Sequence, residues 1–308
     1  MKRTLSLIIA ACLSTSAGEA GIWDQVKSVF VSPEKPKPPT IKVLITHNVP
    51  SVHLEVRGKY SIYDPYKNKH ITSRIVPKGT LIEALSTGLR WGEEFPGVYQ
   101  IQIVPDNAQT TIVIDEKTYR GSIYIYDIGG TISLVNEVDI EDYLQSTLSP
   151  QLPTYASQET VAASVIAART HAYYQAFSST NPYWHVNSSK VDYQGVRAET
   201  PQNIHLSKSI VATRYMVLSE TGAYEGSITP FAINLVASSS QAGNSSSKGK
   251  MAIDESEELA QKGNNAAQIL ARSFPSAKIE LSYSPDQSET QKTLVEQPTR
   301  MRNSAVPH

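Results

Sequence analysis

The chain has 308 residues, 40% of them hydrophobic, and a formal net charge of −1. That length allows one large domain or two smaller ones, and the balanced charge offers no basic surplus for a nucleic-acid partner. Cys12 is the sole cysteine, so a chain cleaved before Gly21 has neither disulfides nor cysteine metal sites.

The chain opens with basic Lys2 and Arg3, a mostly apolar run from Thr4 to Leu13, and small residues up to Ala20. This is the layout of a secretory signal peptide over residues 1–20. A second reading stands beside it: Ile9-Ala10-Ala11-Cys12 has the form of a lipobox, in which Cys12 is lipidated and becomes the first mature residue. Either way the expectation is an exported protein, periplasmic or extracellular. Beyond residue 20 no run is long and apolar enough to cross a membrane as a helix. Residues 21–40 read as a linker, because Pro33, Pro36, Pro38 and Pro39 interleave with Lys35 and Lys37. Proline fixes φ and removes the amide donor, so this stretch is extended and semi-rigid.

Residues 41–134 read as strands. Ile41 to Ile45 is a β-branched run, and Val52-His53-Leu54-Glu55-Val56 alternates with period two. Thr110 to Ile114, Ile123 to Tyr126 and Ile132 to Leu134 repeat the style, with turns at Tyr63-Asp64-Pro65, Pro105-Asp106-Asn107 and Gly129-Gly130. Such spacing predicts antiparallel hairpins. Tyr119-Arg120-Gly121 places a glycine where the backbone turns into a strand.

Residues 135–283 change character. Ile140, Leu144 and Leu148 share one face of a short helix. Pro150 and Pro153 bound a loop, and Ser157 is an N-cap candidate for a helix from Gln158 to Ala176. Its apolar stripe holds Val161, Val165 and Ala172, and Ala162, Ala163, Ala167 and Ala168 allow close packing. Glu257 to Arg272 reads as one closing helix. The serine-rich tract from Ala237 to Ser247 is of low complexity, and the tail, residues 284–308, is polar. The expected fold is therefore α+β: an antiparallel β-rich body, a helix–loop–helix segment and a C-terminal helix.

Three segments carry a resemblance. Val135 to Leu144 follows the pattern V-N-x-V-x-x-E-x-Y-L, Ser149 to Pro153 stands where S-E-M-P is usual, and Ala167-Ala168-Arg169-Thr170 reproduces A-A-R-T. In this order they resemble the stage II sporulation protein D family, which includes peptidoglycan lytic transglycosylases and amidase enhancers. Tyr119-Arg120-Gly121 matches the family's Y-R-G. Ile210-Val211-Ala212-Thr213 and Met216-Val217-Leu218 match its A-V-x-x-T-x-G-x-V-L in outline, with Tyr215 in place of the glycine.

The resemblance implies glycan strands of the cell wall as ligand, no cofactor, no metal, and a cell-wall amidase as a further candidate partner. It also implies a single carboxylic acid that protonates the glycosidic oxygen and then assists attack by the sugar's own 6-hydroxyl. One group suffices because the nucleophile is intramolecular, unlike the two carboxylates of hydrolytic glycosidases. That acid belongs at position 151, and this chain has Gln151 there. An amide can accept or donate a hydrogen bond but cannot supply the proton.

Glu141 and Asp142 are the candidate substitutes. Arg169, Thr170 and Tyr193 are the candidate substrate-binding residues, and a salt bridge from Arg169 to Glu141 or Asp142 is the competing structural role. The family's Q-x-Y-x-G is reduced to the tyrosine and glycine of Val191-Asp192-Tyr193-Gln194-Gly195. Its S-G-G and G-M-S-Q-Y-G-A segments are altered at Ser239 to Gly243 and Lys250 to Ser256. Two expectations follow. The first is an exported peptidoglycan-acting protein with lytic activity reduced or lost. The second is a non-catalytic wall binder that recruits or enhances an amidase. The histidines show no ligand spacing.

Overall fold

The computed structural model describes residues 39–74, 78–197, 204–220, 228–238 and 249–282. The expected signal segment, the expected linker up to residue 38, the serine tract from residue 239 and the polar tail lie outside them.

Strands fill the first part of the body: β1 (Thr40–Val49), β2 (Ser51–Arg57), β3 (Tyr60–Asp64), β4 (Lys69–Arg74), β5 (Lys78–Leu85), β6 (Gly88–Trp91), β7 (Glu93–Pro96), β8 (Gln100–Pro105), β9 (Thr111–Ile114), β10 (Lys117–Tyr119), β11 (Ser122–Asp127) and β12 (Ile132–Asp139). Two helices follow, α1 (Ile140–Leu148) and α2 (Gln158–Ser178), then β13 (Val186–Asn187), α3 (Ser188–Val191), α4 (Ile204–Ala212) and β14 (Met216–Glu220). The chain closes with β15 (Asn234–Val236), β16 (Lys250–Ala252), α5 (Ile253–Gln261), α6 (Ala266–Ser273) and β17 (Ala277–Leu281). The α+β class is as expected.

A seven-stranded sheet runs β13-β1-β12-β11-β8-β3-β4, and a six-stranded sheet runs β10-β9-β2-β5-β6-β7. The pairings within them are antiparallel, as the hairpin spacing predicts, except that β13 joins β1 in parallel. Alternation decides which face is buried. In β2, Val52, Leu54 and Val56 are buried while His53 and Arg57 are exposed, and each buried aliphatic contributes roughly 1.5–3 kcal/mol. Trp91 is wholly enclosed, and its indole N–H donates to the Leu54 carbonyl at 3.2 Å. Strand β12 crosses residue 134, and β13 lies beyond α2, so this sheet draws on both sides of that sequence boundary.

Helix α2 is buried on more than the expected stripe. Val161, Val165 and Ala172 join the main core, while Ala163, Ile166 and Ala167 belong to a second core with Leu218, Ile233, Met251 and Ile269. The small alanines let it lie between the two. The expected closing helix is two helices. Gly263 adopts φ +87°, a left-handed conformation that ends α5. Asn265 then caps α6 in a reciprocal box with Gln268. No described helix is long and apolar enough to cross a membrane.

Candidate functional site

Helix α1 starts where β12 ends. The Asp139 carboxylate accepts from the Glu141 amide at 2.7 Å and caps the helix. Burial raises the Asp139 carboxyl above its usual range, against the opposing effect of that amide. At the start of α2, Ser157 is the cap. Glu257 of α5 anchors it, accepting from the Ser157 amide at 2.8 Å and its hydroxyl at 2.9 Å. Burial works against the Glu257 charge, but hydrogen bonds from Ser157, Thr160 and Gln261 outweigh it and hold the carboxyl below its usual range.

Arg169 does not face a groove; its side chain is completely enclosed. The guanidinium grips Glu141 with Nε to Oε1 at 3.0 Å and Nη2 to Oε2 at 2.6 Å. Its Nη1 donates to the carbonyls of Thr213 at 2.8 Å and Met216 at 3.1 Å. Such a two-pronged, fully hydrogen-bonded arrangement is the geometry a guanidinium suits and an ammonium does not. One ion pair thus ties α1 and α2 to the turn after α4. Thr170 is buried next to it. Its hydroxyl donates to the Ile166 carbonyl and accepts from the Leu218 amide, both at 2.8 Å, so it pins β14 to α2. Both expected substrate contacts, Arg169 and Thr170, are thus buried and spend their hydrogen bonds within the framework.

Tyr193 is also buried. Its hydroxyl donates to Asn136 Oδ1 at 2.6 Å, and its ring stacks on Tyr143 at 5.7 Å. Burial raises the phenols of Tyr193 and Tyr143 well above their usual range, so both remain neutral. Asn136 spends its amide N–H groups on the carbonyls of Arg120 at 2.8 Å and Ser122 at 3.1 Å. The asparagine of the V-N motif therefore holds the Arg120–Gly121 turn. Gly121 is required there: its φ is +79°, and a Cβ would run into the Glu137 carbonyl. Sequence reasoning singled out Tyr193 but gave Asn136 no role, because the last strand was expected to end at Leu134, whereas β12 runs on to Asp139 and buries Asn136.

Asp142 has a different setting. It pairs with Arg120 at 3.3 Å, with both side chains about half exposed, and the two line a cleft of about 300 Å³. Gln145, Ser146, Tyr193 and Arg197 complete its wall. Asp142 is the candidate carboxylate that reaches a cavity; Glu141 is consumed by Arg169.

Gln151 lies beyond the C-terminal end of α1 and does not line that cleft. Its side chain is exposed and folds back, with Nε2 donating to the Thr147 carbonyl at 2.9 Å. Its backbone N–H donates to the Leu148 carbonyl at the same distance. Both bonds satisfy acceptors at the helix end that have no partner in the helix itself. The nearby depression, lined by Ser149, Leu152, Pro153 and His205 among others, has a volume of about 20 Å³. That is room for about one water and not for a sugar ring. Gln151 is exposed and lines neither this depression nor the cleft beside Asp142.

Residues 129–219 match the family model described as Stage II sporulation protein (SpoIID). An uncharacterized protein of Chlamydia pneumoniae is 32% identical over 174 residues, covering 56% of this chain and 63% of that protein. An uncharacterized protein of Chlamydia muridarum (strain MoPn / Nigg) is 29% identical over 195 residues, 63% of this chain and 68% of the relative. One of Brachyspira hyodysenteriae (strain ATCC 49526 / WA1) is 26% identical over 190 residues, 61% of this chain and 49% of that protein. The matched segment runs from the turn before β12 through α1, the buried Glu141–Arg169 pair and α2 to β14, and it is over this segment that the chain is similar to the Stage II sporulation protein (SpoIID) family.

Proposed function

We propose that this protein works in the cell envelope as a binder of peptidoglycan glycan strands whose inherited lytic chemistry is reduced or lost. The family supports a cell-wall role. The observation that carries the finer reading is the state of the candidate acids. Position 151 holds an amide bonded to the Thr147 carbonyl, and Glu141 is committed to a buried guanidinium. General acid–base help is worth on the order of 10²–10⁴ in rate. An amide at position 151 forfeits that factor.

Asp142 supports a second reading, as a displaced acid, because its carboxylate opens onto a 300 Å³ cleft. Recruitment or enhancement of a cell-wall amidase is compatible with glycan binding, and differs by requiring a second protein. The test is co-sedimentation of the purified chain with insoluble peptidoglycan, followed by an amidase rate measured with and without it. Retention in the pellet is expected. A chain that stays in the supernatant over the whole titration contradicts the glycan reading.

A further inference from the structure

A second cleft lies where the β3–β4 turn, the segment before β8 and the segment after α2 come together. It encloses about 330 Å³ and is lined by Tyr66, Tyr99, Tyr126 and Tyr183 together with Asp64 and Lys67. Three of these rings are open to solvent: Tyr66 is 81% exposed, Tyr99 48% and Tyr183 37%. Single exposed aromatics need no explanation, but several around one concavity do.

The rings stand on pinned backbone. Asp64 Oδ1 accepts from the amides of Tyr66 at 3.0 Å and Lys67 at 3.2 Å, closing the turn that carries Tyr66. The Tyr99 carbonyl accepts from the Asp127 amide at 2.9 Å. Asn181 Oδ1 accepts from the amides of Tyr183 at 2.8 Å and Trp184 at 3.1 Å. Buried Tyr126 then meets the Tyr183 ring edge-on at 4.8 Å. A site whose backbone is already positioned loses less ordering entropy when a ligand arrives.

We propose that this cleft is an oligosaccharide-binding site that takes an extended glycan by stacking sugar faces on Tyr66, Tyr99 and Tyr183. Charge decides the ligand class. Asp64 and Asp127 face a single Lys67 among the lining residues, which disfavours a polyanion such as nucleic acid. A sugar presents an apolar C–H face to a ring and hydroxyls to carboxylate and amide groups, matching amphipathic tyrosines beside Asp127 and Gln100. A neighbouring cleft of about 550 Å³ shares Asp64, Lys67 and Val98 with the first. The two clefts thus adjoin at these residues, where a polymer longer than one sugar would extend.

That the natural occupant is a peptidoglycan strand rests on the function proposed above; that the cleft takes oligosaccharide does not. The full chain is titrated with a hexamer of N-acetylglucosamine, with cellohexaose lacking the acetamido groups, and with insoluble peptidoglycan. The comparison is with the Tyr66→Ala/Tyr99→Ala double variant and with Tyr66→Phe/Tyr99→Phe, which keeps both rings. Truncation of central aromatic anchors gives about tenfold per side chain, so the alanine pair is expected to lose about 10²-fold in affinity. The phenylalanine pair is expected to stay within a few-fold. Wild-type binding to a soluble hexamer but not to peptidoglycan would uphold the cleft and overturn the glycan-strand function. Binding to peptidoglycan that the alanine pair retains in full would overturn the cleft and leave that function standing. An alanine pair and a phenylalanine pair that lose affinity equally would refute stacking.

Discussion

Replacing Glu141 by glutamine separates a framework role from a catalytic one. The substitution keeps the shape and removes the charge that faces Arg169. The guanidinium is wholly enclosed, while the carboxylate keeps 13% of its side chain exposed. Removing one partner of a buried pair costs about 3–5 kcal/mol, and the exposed edge of Glu141 argues for the lower end. For a body of this size each kcal/mol moves the midpoint by about 2–4 °C, so the melting temperature should fall by roughly 6–12 °C. Arg169→Met should cost more. It abolishes the pair and also removes donors from the Thr213 and Met216 carbonyls, a further loss of about 1 kcal/mol or more. The assay is thermal denaturation followed by circular dichroism at fixed pH. A Glu141→Gln protein that melts within a degree of wild type, or an Arg169→Met protein more stable than Glu141→Gln, would refute the reasoning. Unchanged melting together with lost lysis would make Glu141 the acid.

Three further outcomes are expected. Tyr193→Phe leaves Asn136 Oδ1 without its buried donor, so denaturant titration should show a loss of about 1–3 kcal/mol; weaker glycan binding with full stability would instead make Tyr193 a ligand contact. Acidification should destabilise the fold through two histidines. His171 Nδ1 accepts from the Ile233 amide and His185 Nδ1 from the Lys42 amide, and burial lowers both pKa values, with Lys42 lowering His185 further. The unfolded chain therefore takes up these protons first. The stabilisation is complete above the ordinary value of 6.5 and is lost as pH falls below it. Melting scans from pH 8 to 5 should show the drop, flattened in a His171→Gln/His185→Gln variant; an equal drop in that variant would assign it elsewhere. Finally, intact-mass analysis of exported protein should show cleavage before Gly21 or an acylated Cys12 as first residue, and full-length unmodified protein in the cytoplasm would contradict export.

The strands and the helix–loop–helix were legible because their signals are local. Period two in β2, an N-capping serine at 157 and a proline-bounded loop each specify a conformation within a few residues. The break between α5 and α6 was equally local, in Gly263-Asn264-Asn265, but an unbroken apolar pattern on either side masked it. What the sequence concealed is direction. Arg169, Thr170 and Tyr193 sit in the motif whether they face a ligand or a core, and only the long-range partners Glu141, Leu218 and Asn136 show that they face inward. The tyrosine cleft was hidden for the same reason. Tyr66, Tyr99 and Tyr183 are far apart in the chain, and sheet order brings them together.

The most direct measurement is formation of 1,6-anhydro ends from purified glycan strands by wild type and by Gln151→Glu. The new carboxyl would sit at the C-terminal end of α1 beside the Thr147 carbonyl, where the helix dipole and the facing oxygen disfavour a negative charge. It should therefore stay protonated to higher pH than a free glutamate, and its O–H can replace the amide's bond to that carbonyl. The account predicts bound strands without anhydro product from wild type. It predicts product from Gln151→Glu at a rate on the order of 10² or more above wild type, falling as pH rises and the acid ionises. Wild-type protein that forms anhydro ends at a substantial rate, unchanged in Gln151→Glu, would contradict it.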